Sequence, residues 1–419
     1  MSILSQQKQS VNTDFPNLRP SLDLRFALAK KLDPRITFTR GTSGTYFGPD
    51  GLMRTAGVNE PRFDHDPITG QSLGLFIEES RQNIALQSEN INTSPWDTST
   101  LTFATNSIVA PDGNTTADKL IENPSFSSFK TTAQSVGTIS GTYAVSGFFK
   151  AGERFRGYLQ LFGSGGNATV IFNLKTGTIT GGAGINTIAP YGNGWYRVSS
   201  TATFTSATAA IYIVVQNDSG VSSYTGDGTS GIYVWGAQVE KGAFPTSYIP
   251  TVASTVTRSA DNADMTGTNF SSWYNSSEGT LYANAKSNGN TTQIPGIAAL
   301  NNSSSPTTNR VDLRYDQSGS SQSVFNGVGG GGGSMSRISG FSLTNPKFVV
   351  SYASQNVNFA ANASLISSRT SAFVPSPLVN RLLIGTFDAG TIRQINGTIS
   401  RLTYYPIQLT NQQLINLCS

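Results

Sequence analysis

The chain has 419 residues and a formal net charge of +4, from 28 Lys and Arg against 24 Asp and Glu. The cations are scattered and form no basic run of the sort that tracks a phosphate backbone, which argues against nucleic acid as a partner. Only 12% of residues are charged, while 37% are hydrophobic and 10% aromatic. That is too apolar for disorder, yet no run of about 18 apolar residues offers a membrane span.

The mixture of β-branched and aromatic residues with Gly, Ser, Thr and Asn is that of an all-β protein, long enough for two or three domains of about 150 residues. The single cysteine, Cys418, excludes an internal disulfide framework and suits assembly in a reducing cytoplasm. The opening residues lack the charged and apolar regions of a signal peptide, so release is expected by lysis.

In chain order, residues 1–20 are polar with Pro16 and Pro20, and residues 1–35 read as an N-terminal arm that orders on docking. Residues 21–32 fit a short helix and a strand equally. Arg35–Arg40 alternates as a strand, Gly48–Gly51 turns, and the stretches around Pro61–Pro67 and Gly74–Asn83 complete a small β unit over 36–83. Residues 84–255 carry strand patterns at 143–149, 157–162, 168–174, 195–204, 209–216 and 231–240. Gly/Asn/Ser turns separate them, the pattern of a two-sheet jelly roll.

Residues 256–272 read as a polar linker. Beyond it, strand-like runs at 279–285, 310–315, 347–352, 357–359 and 382–385 lead to a closing strand with Ile399, Leu402 and Tyr404. A terminal helix follows, capped by Thr410 with Gln413 in the capping-box position. Gly329–Gly333 is a flexible loop by its chemistry and lacks the setting of a phosphate loop.

The run Gly231–Pro250, with Ile232, Val234 and Val239 set apart from Tyr233, Trp235 and Gln238 before a Gly/Pro turn, resembles the closing strand of carbohydrate-binding-module-like jelly rolls in bacteriophage virion proteins. Asp33–Arg40, Pro61–Asp64 and Gly74–Asn83 resemble an ordered set of sequence words in phage head-fibre, spike and tail-fibre-like proteins. Residues 273–419 resemble a laminin-G-like or concanavalin-like jelly roll. These resemblances imply an all-β protein with two tandem jelly-roll β-sandwich domains, 84–255 and 273–419, behind a small N-terminal anchoring β unit.

They also imply a non-enzymatic structural protein of the virion, a fibre, spike or decoration, assembled in the host cytoplasm. It would be held to capsid or tail proteins through its N-terminal region, assemble as a homo-oligomer with a trimer favoured, and adhere to host-surface glycans. The alternatives are a capsid or tail component without ligand, and a polysaccharide hydrolase.

The residues offer few chemical candidates. His65, the only histidine, lies between Asp64 and Asp66 in a turn-like run, and one imidazole with one terminal cysteine makes no typical zinc shell. Glu78 and Glu79 are adjacent, so on a strand they point to opposite faces and cannot flank one glycosidic bond; Asp218, Asp227 and Glu240 have no evident partners. Asp112, Asn114 and Asp118 are candidate ligands for a structural Ca²⁺, as is Asp227, and each is also an ordinary turn former. Sugar stacking calls for exposed aromatics, and the set to weigh is Trp96, Tyr158, Trp195, Tyr224, Trp235, Trp273, Tyr274 and Tyr315. Tyr224, in the Gly/Ser-rich 217–231 loop with Asp218, Ser222, Ser223 and Asp227 around it, is the preferred carbohydrate contact.

Overall fold

The computed structural model describes residues 19–288, 295–304, 310–315, 322–327, 334–338, 346–354, 356–369, 378–388 and 393–419. The arm up to residue 18, residues 305–309 and the Gly329–Gly333 loop lie outside the described residues. The chain is almost wholly antiparallel β-structure in two compact units. One is Phe38–Asp261; the other comprises residues 19–37, 262–287 and those described beyond 294.

The strands of the Phe38–Asp261 unit are β1 (Gly44–Phe47), β2 (Met53–Ala56), β3 (Arg62–His65), β4 (Ser72–Ile77), β5 (Arg81–Asn83), β6 (Leu101–Ile108), β7 (Ala117–Glu122) and β8 (Thr131–Ala151). After them come β9 (Arg156–Gly163), β10 (Gly166–Asn173), β11 (Thr178–Ala183), β12 (Ile185–Pro190), β13 (Trp195–Gln216), β14 (Gly231–Lys241) and β15 (Val256–Arg258). Nine of them form one sheet in the order β11-β10-β9-β13-β8-β14-β7-β6, with β12 on β13. Alternation explains the pleat: in β9, Leu159 and Leu161 are buried while Tyr158, Gln160 and Phe162 face away from them.

Leu101 and Leu120, near one edge of this sheet, share a core cluster with Leu159 and Val170 from near the other. In a flat sheet β7 and β9 would stand about 19 Å apart, at roughly 4.8 Å per strand. The sheet therefore folds over its own core, as a jelly-roll sandwich does. The bending falls on β8 and β13, 21 and 22 residues long, which pair from Thr131↔Val214 to Lys150↔Trp195 with register shifts at Ser135/Gly137 and Ile139/Gly141. The two patterns at 195–204 and 209–216 are thus one bent strand.

The small N-terminal β unit shares core with the jelly roll. Met53 packs with Phe148, Trp195, Trp235 and Tyr248 of the jelly roll. Beneath β1 and β3 lies a cluster of buried ions. Arg40 donates to Asp261 Oδ1 at 3.0 Å; Arg62 donates to the other Asp261 oxygen and to Glu78 at 2.7 Å. Glu78 also accepts from the amide and hydroxyl of Ser247, at 2.8 and 2.6 Å, and Arg258 reaches it at 3.5 Å. None of these five charged side chains exceeds 3% exposure.

Arg81 completes the join, donating to the Lys241 carbonyl, and a Cβ on Gly242 would collide with its guanidinium. Phe38–Asp261 is accordingly one unit, where the sequence divides it at 83/84 and 255/256. Residues 256–272 are no solvated linker: they hold β15, buried Arg258 and Asp261, a strand at Asn262–Thr266 and a helix at Gly267–Ser271. Arg258 and Asp261 belong to a buried ionic core, which composition cannot tell from a solvated segment because charges are rarely buried unless paired.

The other unit holds two antiparallel sheets. One runs through 364–369, 356–361, 347–353, 279–287 and 397–405, with Leu22–Leu24 also pairing the last of these. The other runs through 262–266, 381–384, 296–301, 310–315, 322–327 and 334–338. The ambiguous 21–32 segment is both things in turn, strand Leu22–Leu24 and helix Phe26–Ala29. Ile399, Leu402 and Tyr404 are buried as their spacing implies, and Thr410 and Gln413 form the capping box of helix Asn411–Leu417. That helix packs Leu414 and Cys418 against Tyr282, Val349 and Ala360. The Cys418 thiol is 2% exposed, and burial pushes its pKa up to about 12.

Asp261→Ala removes the shared partner of two buried guanidinium groups and is expected to destabilise the chain by about 3–5 kcal/mol. Arg54→Ala, which breaks the exposed Arg54–Asp50 pair, should leave the unfolding midpoint nearly unchanged. Urea unfolding of the two variants checks the contrast.

The same region sets opposing pH responses. Burial would raise the Glu78 carboxyl, but Arg258 and Arg62 override it and hold it at about 2. Its stabilisation is complete above the ordinary glutamate range and is lost as pH falls from about 4.5 towards 2. Burial raises Asp64 to about 7 against the hydrogen bond from the Phe47 amide, so its folded form retains a proton that the unfolded form releases. Stability is then lost as pH rises from about 4 through 7. Asp64→Asn should remove that neutral-range loss and leave the acid limb intact, as read by melting temperature from pH 3 to 9.

Candidate functional site

The 217–230 loop leaves β13 and returns into β14, and it lies along a second loop, 123–130, that joins β7 to β8. A β-bridge links Phe129 to Ser223, the Lys130 amide donates to the Ser222 carbonyl at 3.1 Å, and the Val215 amide donates to the Lys130 carbonyl at 2.9 Å. At the junction sits Glu122, fully buried at the end of β7. The Arg154 guanidinium grips it through Nε at 3.2 Å and Nη2 at 2.8 Å. The same guanidinium lies 3.5 Å from Asp218 and 3.8 Å from Asp227. The hydrogen bond from Arg154 to Glu122 raises its pKa above the ordinary arginine value and keeps it charged.

The structure thus gathers Asp218, Tyr224 and Asp227 around one arginine, but gives them different work. Asp227 accepts from the amide and hydroxyl of Ser230 at 2.7 and 2.6 Å and from the Thr229 amide at 2.8 Å, and these bonds hold its carboxyl well below the usual range. It shapes the turn. Ser222 offers its carbonyl to Lys130 and its hydroxyl to Gln216 at 3.3 Å. Asp218 is exposed.

Tyr224 is half-buried, with Lys130 Nζ 5.8 Å and Arg154 Cζ 6.0 Å from its ring centre. Burial, then the nearby Glu122, push its hydroxyl pKa well above the ordinary tyrosine value. Its ring is a seat for cations beneath the loops.

The exposed apolar surface belongs to residues that the sequence reading passed over. Phe129 is 49% exposed, Phe126 38% and Val221 47%. The Phe129–Ser223 bridge puts Phe129 and Val221 on one face, diagonal across the pair. Both phenylalanines lie in Pro124-Ser-Phe-Ser-Ser-Phe129, where the strand alternation of the flanking runs is broken by Pro and Ser. That was the signal available. Phe129 and Val221 on this face, with Phe126 exposed on the same loop as Phe129, offer apolar surface able to stack on a sugar ring.

Of the other aromatic candidates, Trp96, Trp195, Trp235, Trp273 and Tyr315 are at most 4% exposed and belong to the core. Trp195 and Trp235 donate to the Val109 carbonyl and the Thr116 hydroxyl, as buried indoles must. Tyr158 and Tyr274 are half-buried.

The candidate Ca²⁺ ligands do not converge. Asp112 accepts from the Asn114 amide and side chain at 3.0 and 2.7 Å, while buried Asp118 accepts from the amides of Ile91 and Asn106 at 3.1 and 3.0 Å. Among the described residues, no group of three His, Cys, Asp or Glu is arranged to hold a metal. His65 is buried on β3 with Nδ1 2.9 Å from the Phe47 carbonyl. Glu240 is buried and occupied by Thr246 and Gln238.

No protein-family model and no curated protein matches the chain. Among solved structures it is similar to the CBM40 module of Ruminococcus gnavus IT-sialidase bound to α2,3-sialyllactose. That match has 15% identity and a TM-score of 0.30 over 35% of this chain and 84% of that one. A leech intramolecular trans-sialidase matches at 17% identity and TM-score 0.30, covering 34% of this chain and 23% of its own. The NanB sialidase of Streptococcus pneumoniae matches at 14% and 0.31, covering 37% and 26%. Likeness of this size carries over neither ligand nor activity.

Tyr224→Ala is expected to lower stability by roughly 1–3 kcal/mol, less than the full-burial range, because it removes a half-buried ring from two cations. An unchanged urea midpoint would instead make Tyr224 a free stacking platform.

Proposed function

We propose that the chain is a non-enzymatic structural protein of a phage-type virion that displays its jelly roll for adhesion to host-surface glycans. The observation carrying the glycan reading is solvent-facing Phe126 and Phe129 on one of two mutually braced loops, with Val221 and Asp218 exposed on the other. Rigid aromatics on braced loops bind with little ordering cost, and a shallow face suits weak contacts multiplied over many copies on one particle. The virion reading is supported by the ordered sequence words at 33–40, 61–64 and 74–83. Arg40, Arg62 and Glu78 of those words belong to the buried ionic frame and not to a reaction site. In this reading the N-terminal region attaches to capsid or tail proteins and copies assemble, a trimer being favoured.

A second reading, a structural component whose apolar surface is covered by neighbouring proteins, draws on Ile179 and Ile185, 37% and 59% exposed on strands β11 and β12. A glycan array separates the two. The full chain should be retained by a subset of oligosaccharides, and the double variant F126A/F129A should lose about tenfold or more in affinity with its melting temperature unchanged, tenfold being about 1.4 kcal/mol. Retention of no glycan sinks the adhesion reading, and released reducing ends would turn the assignment to a hydrolase. Mass spectrometry of purified particles tests the virion placement; absence of the chain from them overturns it.

A further inference from the structure

Lys130 is an unusual lysine. Its side chain is fully buried, yet none of the ion pairs among the described residues includes it. The ammonium instead donates to the carbonyl of Asn123 at 2.8 Å and to that of Phe126, two peptide groups of the loop that ends at Lys130 itself. Its third side faces the Tyr224 ring, 5.8 Å from the ring centre. A lysine ammonium has three donors and no acceptor, so two carbonyls and a ring face use all three directions. The backbone of the same residue bonds Ser222 on one side and Val215 on the other. One residue therefore closes the 123–130 loop from within, ties it to the 217–230 loop and fastens both to β13.

We infer that Lys130 is the positioning residue of the aromatic face: its buried ammonium fixes the loop that carries Phe126 and Phe129, and so sets the affinity of that face for a sugar ring. The inference rests on the glycan reading above. Without the ammonium, the carbonyls of Asn123 and Phe126 lose their donor, and Pro124-Ser-Phe-Ser-Ser-Phe129 is left with one turn and the single bridge at Phe129 to hold it. The contact residues remain, but they must be ordered at each binding event, which weakens binding through lost preorganisation. Desolvation lowers the Lys130 pKa, with Glu122 opposing it.

The test compares the full chain with K130M, which keeps the apolar stem without donors, with K130R, which keeps a buried cation, and with F129A. Amide hydrogen exchange over residues 123–130 reads the staple without any ligand. K130M should exchange there at least tenfold faster while the β8, β13 and β14 amides keep their protection, and K130R should restore most of the slowing. On the same glycan array, K130M should bind every retained oligosaccharide about tenfold more weakly, with K130R within about threefold of the unsubstituted chain. Unchanged exchange in K130M overturns the staple. Faster loop exchange with unchanged binding overturns the positioning role. F129A binding as the unsubstituted chain does would instead overturn the aromatic face, and the exchange result would still judge the staple by itself.

Discussion

The Phe38–Asp261 unit depends on a carboxylate shared by two guanidinium groups. Asp261 holds Arg40 and Arg62 at once, and Arg62 passes the connection to Glu78, which in turn binds Ser247 beyond the closing strand of the jelly roll. Such a cluster gives little net stability relative to a well-packed apolar core, because each ion gives up its hydration. What it gives is uniqueness. Four segments far apart in sequence, around 40, 62–78, 247 and 258–261, must all arrive before every charge is satisfied. A misplaced strand leaves a buried ion unpaired, which costs far more than a misplaced leucine.

That dependence explains what was legible in the sequence. Arg156–Gly163, whose alternation reflects one apolar face, and Gly231–Lys241, which is buried on both faces, are strands where the pattern puts them, and the terminal helix begins at its capping box. The boundaries were not legible. Val256–Asp261 has the composition of a linker because its Arg and Asp look solvated until their partners, some 180 to 220 residues away, are known. Long-range charge pairing leaves no period along the chain. The bulges that bend β8 and β13 likewise read as breaks, since Gly137, Gly141 and Ser206 are turn formers in any local reading.

The site shows the same division. The 217–230 loop was legible as the variable edge of a sandwich, and Asp218, Tyr224 and Asp227 do meet there. Which aromatic faces solvent was not, because Tyr224 is drawn inward by Lys130, Arg154 and Glu122, none of which is its neighbour in sequence. Phe126 and Phe129 stay exposed while Lys130 and Arg154 face the Tyr224 ring.

The buried thiol near the C-terminus has a practical corollary. Thiol reagents attack the thiolate, and Cys418 is both enclosed and displaced far towards its protonated form. Its modification therefore has to wait for helix Asn411–Leu417 to lift from Tyr282 and Val349. In a chain with one cysteine, the rate of labelling becomes a clock for that single local opening, readable without introducing any probe. It follows too that a cysteine introduced on the surface would label alone, giving a clean attachment point for measuring distances across the sandwich.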